Sequence, residues 1–122
     1  MINQVGRIAE PTPVLLTTTS VTDVVAFAAG LSGAYTVGSI KIVNQDSVDR
    51  KVTVWLTKNA TDYAIFEAVL GANSTIDAVD QPIVMIPKET ARKIRAQAAA
   101  ANVVTVTVIF TEGGQTGPSF AG

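Results

Sequence analysis

The sequence predicts an all-β protein: an antiparallel β-sandwich of jelly-roll-like type, with about eight short strands and extended N- and C-terminal arms. Three observations carry that reading. Short runs alternating apolar and polar residues recur at a spacing of about ten residues, as expected of a sandwich or barrel. The runs are rich in valine, isoleucine and threonine, whose branched Cβ suits a pleated sheet better than a helix. Gly, Asn, Asp or Ser bound nearly every run, and these are the residues that turns require.

The first run is VLLTTTS from Val14, followed by VTDVVAF from Val21 and YTVGSIKIVN from Tyr35 to Asn44. In VTVWLT, Val52, Val54 and Leu56 point to one side, and Thr53, Trp55 and Thr57 to the other, because successive side chains of a strand alternate in direction. YAIFEAVL, STIDAV and QPIVMI come next, each read as a strand. In the last run, VVTVTVIFTE from Val103 to Glu112, one face carries Val104, Val106, Val108 and Phe110. The other carries Thr105, Thr107, Ile109 and Thr111. VVTVTVIF is uncharged and strongly β-prone, so it is expected to be a paired inner strand; at an open edge it would template aggregation.

One stretch carries two signals. KETARKIRAQAAAAN, from Lys88 to Asn102, is rich in good helix formers. Within it Ile94, Ala96 and Ala98 alternate with Lys93, Arg95 and Gln97, which is strand periodicity. A helical stripe would consist of Ala91, Ile94, Ala98 and Asn102, a thin apolar face. The reading is a strand over Lys93–Ala98, with AAAN turning into the final strand. The competing reading is a helix over residues 88–102, which would make the fold α+β.

The chain has 122 residues, one domain's worth, and a domain of that size buries roughly two-thirds of its unfolded surface without a metal or disulfide. The expected organisation is an N-terminal arm over residues 1–13, a sandwich over 14–112 and a flexible tail over 113–122. The ends either fray or order on a neighbouring subunit. Only 16% of residues are charged, against about 25% in typical domains, so less surface than usual has to face water, as in a subunit of an assembly. The net charge of −1 argues against a nucleic-acid partner, which selects a basic field. No run reaches the roughly 20 apolar residues that span a bilayer, so no membrane partner is expected. MINQVGRIAEPTP does not read as a secretory signal.

There is no histidine and no cysteine, which removes the Ser-His-Asp and Cys-His nucleophilic sets, the usual zinc ligands and any disulfide. Two carboxylate pairs remain, Asp46 with Asp49 and Asp77 with Asp80. Each sits in turn-like sequence, where acidic side chains usually bond their own backbone. Asp46-Ser-Val-Asp49 is too sparse for a persuasive calcium loop. Neither catalysis, nor a metal, nor a cofactor is expected. The glycines of GLSG and GAYTVG lack the lysine and helix of a phosphate loop and read as loop glycines. Asn59-Ala-Thr61 and Asn73-Ser-Thr75 read as turns. The candidate contact residues are Trp55, a large aromatic on a threonine face, and the basic side chains Arg7, Arg92, Lys93 and Arg95. Lys88, Arg92, Lys93 and Arg95 form a local basic cluster, either a solvated strand face or a docking patch for an acidic partner.

TTTSVTDVVAFAAGLSGAYTVGSIKIVNQDSVDRKVTVWL and IPKETARKIRAQAAAANVVTVTVIFTE together resemble small β-sandwich virion proteins of tailed bacteriophages, of the capsid decoration (cement) or head-fibre type. The likeness covers roughly residues 14–112. It lies in a strand ending in Asn, a polar turn, a VTVWL-like strand, and a closing hairpin whose first strand reads IR-Q-A. Where those proteins often carry a Gly-Asp turn before that strand, this chain has Lys88-Glu-Thr-Ala91. The resemblance implies a homotrimer on the capsid exterior that binds the major capsid protein of the same phage and bridges its subunits. The alternative it leaves open is a receptor- or glycan-binding module of a head or tail fibre, with Trp55, Tyr35 and Tyr63 as aromatic platforms.

Overall fold

The computed structural model describes residues 7–8 and 10–113. Among them, ten strands form two antiparallel sheets: β1 (Arg7–Ile8), β2 (Pro13–Leu15), β3 (Thr22–Phe27), β4 (Tyr35–Asn44), β5 (Arg50–Lys58), β6 (Thr61–Leu70), β7 (Ser74–Asp77), β8 (Ile83–Met85), β9 (Arg92–Ala98) and β10 (Val104–Glu112). In the first sheet β10 and β4 are central, flanked by β1 and β2 on one side and by β7 and β8 on the other. The second sheet has the order β3-β9-β5-β6.

The pairings nest. β5 pairs with β6, β4 with β7 and β8, β3 with β9, and β1 and β2 with β10. The chain is therefore one long antiparallel hairpin, rolled so that successive pairs fall alternately in the two sheets. That is a jelly roll. As expected, β10 is an inner strand, held by β4 along its whole length and by β2 and β1 on the other side.

The inward faces follow the alternation read from sequence. Val104, Val106 and Val108 of β10, Ile40 and Ile42 of β4, Val52 and Val54 of β5, and Ile94, Ala96 and Ala98 of β9 are all buried. Burying each branched side chain contributes about 1.5–3 kcal/mol. Residues 92–98 are strand, not helix, because β9 is central and its Ile-x-Ala-x-Ala alternation places every apolar side chain inward between β3 and β5. At one end of the core Phe27 stacks on Tyr35, with ring centroids 4.2 Å apart, and meets Phe110 edge-on at 5.0 Å.

Three irregularities were not visible in the run boundaries. Val37 and Ile40 are both fully buried although they lie three residues apart. The register of β4 against β10 pairs Val37 with Phe110 and Ser39 with Ile109, leaving Gly38 as the extra residue of a bulge, which restores the inward phase. Gly38 is thus a strand residue and not the loop glycine expected, whereas Gly33 does lie in the β3–β4 connection. A second bulge in β6 leaves Ile65 between Phe66, opposite Val54, and Ala64, opposite Trp55. The first run is shorter than its alternation suggested. Strand ends at Leu15, and Thr18, Ser20 and Thr22 bond one another's local backbone instead, the competition with sheet pairing that short hydroxyl residues offer.

Part of the segment expected to be an N-terminal arm is paired. Arg7 and Ile8 lie opposite Glu112 and Thr111, and Pro13 opposite Thr107. Residues 1–6, 9 and 114–122 of the expected arms lie outside the described residues.

The β5–β6 hairpin closes through Asn59 and Ala60, with φ of 54° and 62°. A two-residue turn with both residues left-handed normally has glycine second, so Ala60 is the strained position. Ala60→Gly is expected to stabilise the protein by about 0.5–1 kcal/mol. Urea unfolding with an unchanged slope and a raised midpoint would show it.

Candidate functional site

The outer faces of the two sheets differ in charge, and that contrast is the main feature of the surface. On the second sheet, β9 presents Lys93, Arg95 and Gln97 outward. Arg95 lies between two carboxylates: its Nε donates to Asp23 at 2.7 Å and its Nη1 to Asp62 at 2.8 Å. Lys93 approaches Asp23 at 3.4 Å, and Lys51 meets Glu67 at 2.6 Å. Gln97 donates to the Thr19 carbonyl at 2.8 Å. Thr57 belongs to this outer face but is buried, because it lies in register between Asp62 and Lys93 and donates to Asp62. The hydrogen bond from Thr57 and the Arg95 guanidinium together hold the Asp62 carboxyl below the usual carboxylate range, against partial desolvation. Desolvation lowers the Arg95 pKa, but its bonds to Asp62 and Asp23 outweigh this and hold the guanidinium above its ordinary value.

The structure separates the basic residues that sequence grouped together. Trp55 is half-buried on the outer face of β5, in register with Arg95 of β9 and Ala64 of β6. Lys93 and Arg95 share that face. Arg92 has the inward parity of Ile94 and lies at the strand end, where its guanidinium donates to the Thr90 hydroxyl and to the Thr90 carbonyl at 2.8 Å. Arg7 is in β1, in the other sheet. Tyr35, named as an aromatic platform, is buried in the core against Phe27 and has no face free for a ligand. Tyr63 is exposed on the edge strand β6.

The outer face of the first sheet has a different character. Pro13 and Leu15 of β2, Thr105, Thr107 and Ile109 of β10, Val43 of β4 and Val84 of β8 lie on it by register. Its charged pair is Lys41 of β4, in register with Thr107, and Asp77 of β7, 3.6 Å apart. Leu15 is 43% exposed and Val84 60%. A neutral β-branched field with exposed leucine and valine at its flanks is the surface that sequence reasoning missed. Its signal in the sequence is the absence of charge along VTVTVIFT.

Three of the four acidic residues considered for chemistry, Asp46, Asp49 and Asp77, act as staples. Asp77 accepts from Ser39 Oγ at 2.7 Å and from the backbone N–H groups of Ile40 and Val79, which anchors the β7–β8 connection to β4. Desolvation raises its pKa, but these bonds and Lys41 leave it below the ordinary value. Asp46 is paired with Arg50, whose hydrogen bond is the main cause of its lowered pKa. Asp49 accepts from the Ala72 N–H at 3.0 Å. Among the described residues no three His, Cys, Asp or Glu side chains group as a metal site.

These shifts fix the sign of a pH dependence. A carboxyl whose folded pKa is depressed contributes stability above its unfolded value of about 4, and that contribution is lost as pH falls through the folded pKa. Asp46, Asp62 and Asp77 all shift in this direction, and no histidine is present to titrate near neutrality. The melting temperature is therefore expected to be flat between about pH 5 and 8 and to fall below about pH 4; thermal melts across a pH series measure it.

No family model matches the chain, and no curated protein matches it. Among solved structures, the chain is similar to one from the infectious bursal disease virus Gt strain, with a TM-score of 0.33 and 10% identity. The likeness covers 88% of this chain and 32% of that one, so the present chain spans about a third of its length. At that level the comparison carries no functional argument.

Proposed function

We propose that the chain is a non-enzymatic structural protein of a tailed-phage virion: a homotrimeric decoration protein on the capsid exterior that bridges subunits of the major capsid protein. The observation that carries the reading is the neutral outer face formed by β2, β10, β4 and β8. A face dominated by threonine, valine and isoleucine, on which Lys41 is already paired with Asp77, can be buried in an assembly without stranding an unpaired ion, while the ion-paired outer face of the second sheet keeps its solvation. The jelly roll suits this role, because nested pairing gives a rigid module with little reactive chemistry. The sequence resemblance over residues 14–112 supports the same assignment.

Area sets the expected strength. Two strands about 30 Å long, β4 and β10, and two about 10 Å long, β2 and β8, spaced about 4.8 Å apart, present roughly 400 Å² of sheet face. A standard interface takes about 800 Å² from each partner. The free trimer is therefore expected to be weak and concentration-dependent, and repetition on a lattice would supply the remaining hold through multivalency. Sedimentation velocity tests this. The parent chain should form trimers as concentration rises, and the double variant Leu15→Lys, Val84→Lys should remain monomeric with its melting temperature nearly unchanged, both positions being exposed. A parent that stays monomeric throughout, or a double variant that still forms trimers, would contradict the assignment of this face.

A further inference from the structure

At the end of the sandwich where the β5–β6 turn meets the β8–β9 connection, the second sheet opens into a cleft of about 750 Å³. That lies within the range of about 300–1,000 Å³ typical of small-molecule sites. Alanine and threonine methyl groups line part of it, with no aromatic side chain among the lining residues. Its charges balance, two carboxylates against two cations, with Asp62 and Arg95 already bonded to each other. Such a site selects neither an anion nor a cation, and a flat aromatic ligand finds no ring to stack on.

What it does offer is oriented hydrogen-bonding groups. The Asp62 carboxylate accepts from the Thr57 hydroxyl at 2.5 Å and from Arg95 at 2.8 Å, and each oxygen keeps a second acceptor direction. The Asn59 carbonyl oxygen accepts from the Thr90 hydroxyl at 2.8 Å, which leaves the two amide N–H donors of Asn59 for a ligand. Glu89 adds a second carboxylate to the lining. Fixed donors beside fixed acceptors on a methyl-lined floor match adjacent hydroxyls of a sugar ring, each of which donates once and accepts once.

We propose that this cleft is a saccharide-binding site, with Asp62 and Glu89 accepting from ring hydroxyls and the Asn59 amide donating to them. It is separate from the neutral face assigned to assembly and does not depend on that assignment. An open cleft without aromatic stacking binds weakly, with a Kd of about 1 mM or more.

The test is two-dimensional amide NMR of the full chain titrated with glucose, galactose, mannose, rhamnose and N-acetylglucosamine, each to about 100 mM so that millimolar binding saturates. Glycerol serves as the acyclic control. The expected result is saturable shifts with at least one sugar, confined to residues 57–62 and 88–95, with glycerol producing none. Asn59→Asp keeps a residue that tolerates the left-handed turn and keeps the acceptor for Thr90, but removes the amide donors; it should weaken binding at least tenfold. Glu67→Gln, on the same sheet outside the cleft, should leave binding unchanged. Absence of saturable shifts with every sugar, shifts centred elsewhere, or equal binding by Asn59→Asp would each overturn the proposal.

Discussion

Asn44→Ala is expected to lose about 3–5 kcal/mol of stability, or about 12–20 °C in melting temperature at roughly 4 °C per kcal/mol for a domain of this size. Asn44 ends β4 with its side chain fully buried. Its Nδ2 donates to the carbonyls of Val48, Leu70 and Gly71 at 3.1, 3.2 and 3.1 Å, and its Oδ1 accepts from the Asp46 N–H at 3.0 Å. One amide thus joins the β4–β5 connection to the corner between β6 and β7. Truncation leaves those carbonyls unpaired beside a cavity, and unmade buried hydrogen bonds cost more than made ones contribute. Asn44→Asp separates this account from simple loss of volume. The shape is retained, but a carboxylate oxygen then faces three carbonyl oxygens, so the isosteric variant should be destabilised at least as much. Thermal and urea unfolding of both variants measure the effect, and an Asn44→Asp protein as stable as the parent would contradict it.

Phe27→Ala should cost a similar amount, about 3–5 kcal/mol. Phe27 is the last residue of β3 in the second sheet, and the rings it touches, Tyr35 and Phe110, belong to β4 and β10 in the first. The cluster therefore ties the two layers together at the end of the sandwich where β10 finishes. Removing the central ring leaves a void between sheets that rigid strands cannot close. Phe27→Leu, which refills much of that void, should recover about half of the loss. The buried Tyr35 hydroxyphenyl provides a second reading: its near-ultraviolet dichroism should weaken in Phe27→Ala before global unfolding. An alanine variant with a loss below about 1 kcal/mol would mean that the sheets are held elsewhere.

The legible part of the fold was whatever rests on alternation. The face assignments in β5 and β10, the paired position of β10 and the strand at residues 92–98 all follow from period-two patterning against one core. The bulges at Gly38 and Ile65 were not legible, because a bulge breaks the period at the point where the pairing must be known to recognise it. Asn44 could be read as a strand end but not as a buried clamp, since two of its partners, the carbonyls of Leu70 and Gly71, lie 26 and 27 residues away in sequence. The same limit applies to the surface. Arg92, Lys93 and Arg95 are neighbours in sequence, yet strand geometry sends Arg92 to the face opposite the other two. The carboxylates that neutralise Lys93 and Arg95 come from β3 and β6. The neutral face of the first sheet is assembled from β2, β4, β8 and β10, so no single run displays it.

The central claim is that this module is a structural part of a virion head, and immunogold labelling of particles from the source culture tests it most directly. Antibody raised against the recombinant 122-residue chain would be applied to intact particles, with antibody to a coat protein as the loading control. The account predicts dense, regular label over the capsid surface. Label confined to the tail or to projecting fibres, or well-loaded particles carrying none, would contradict it.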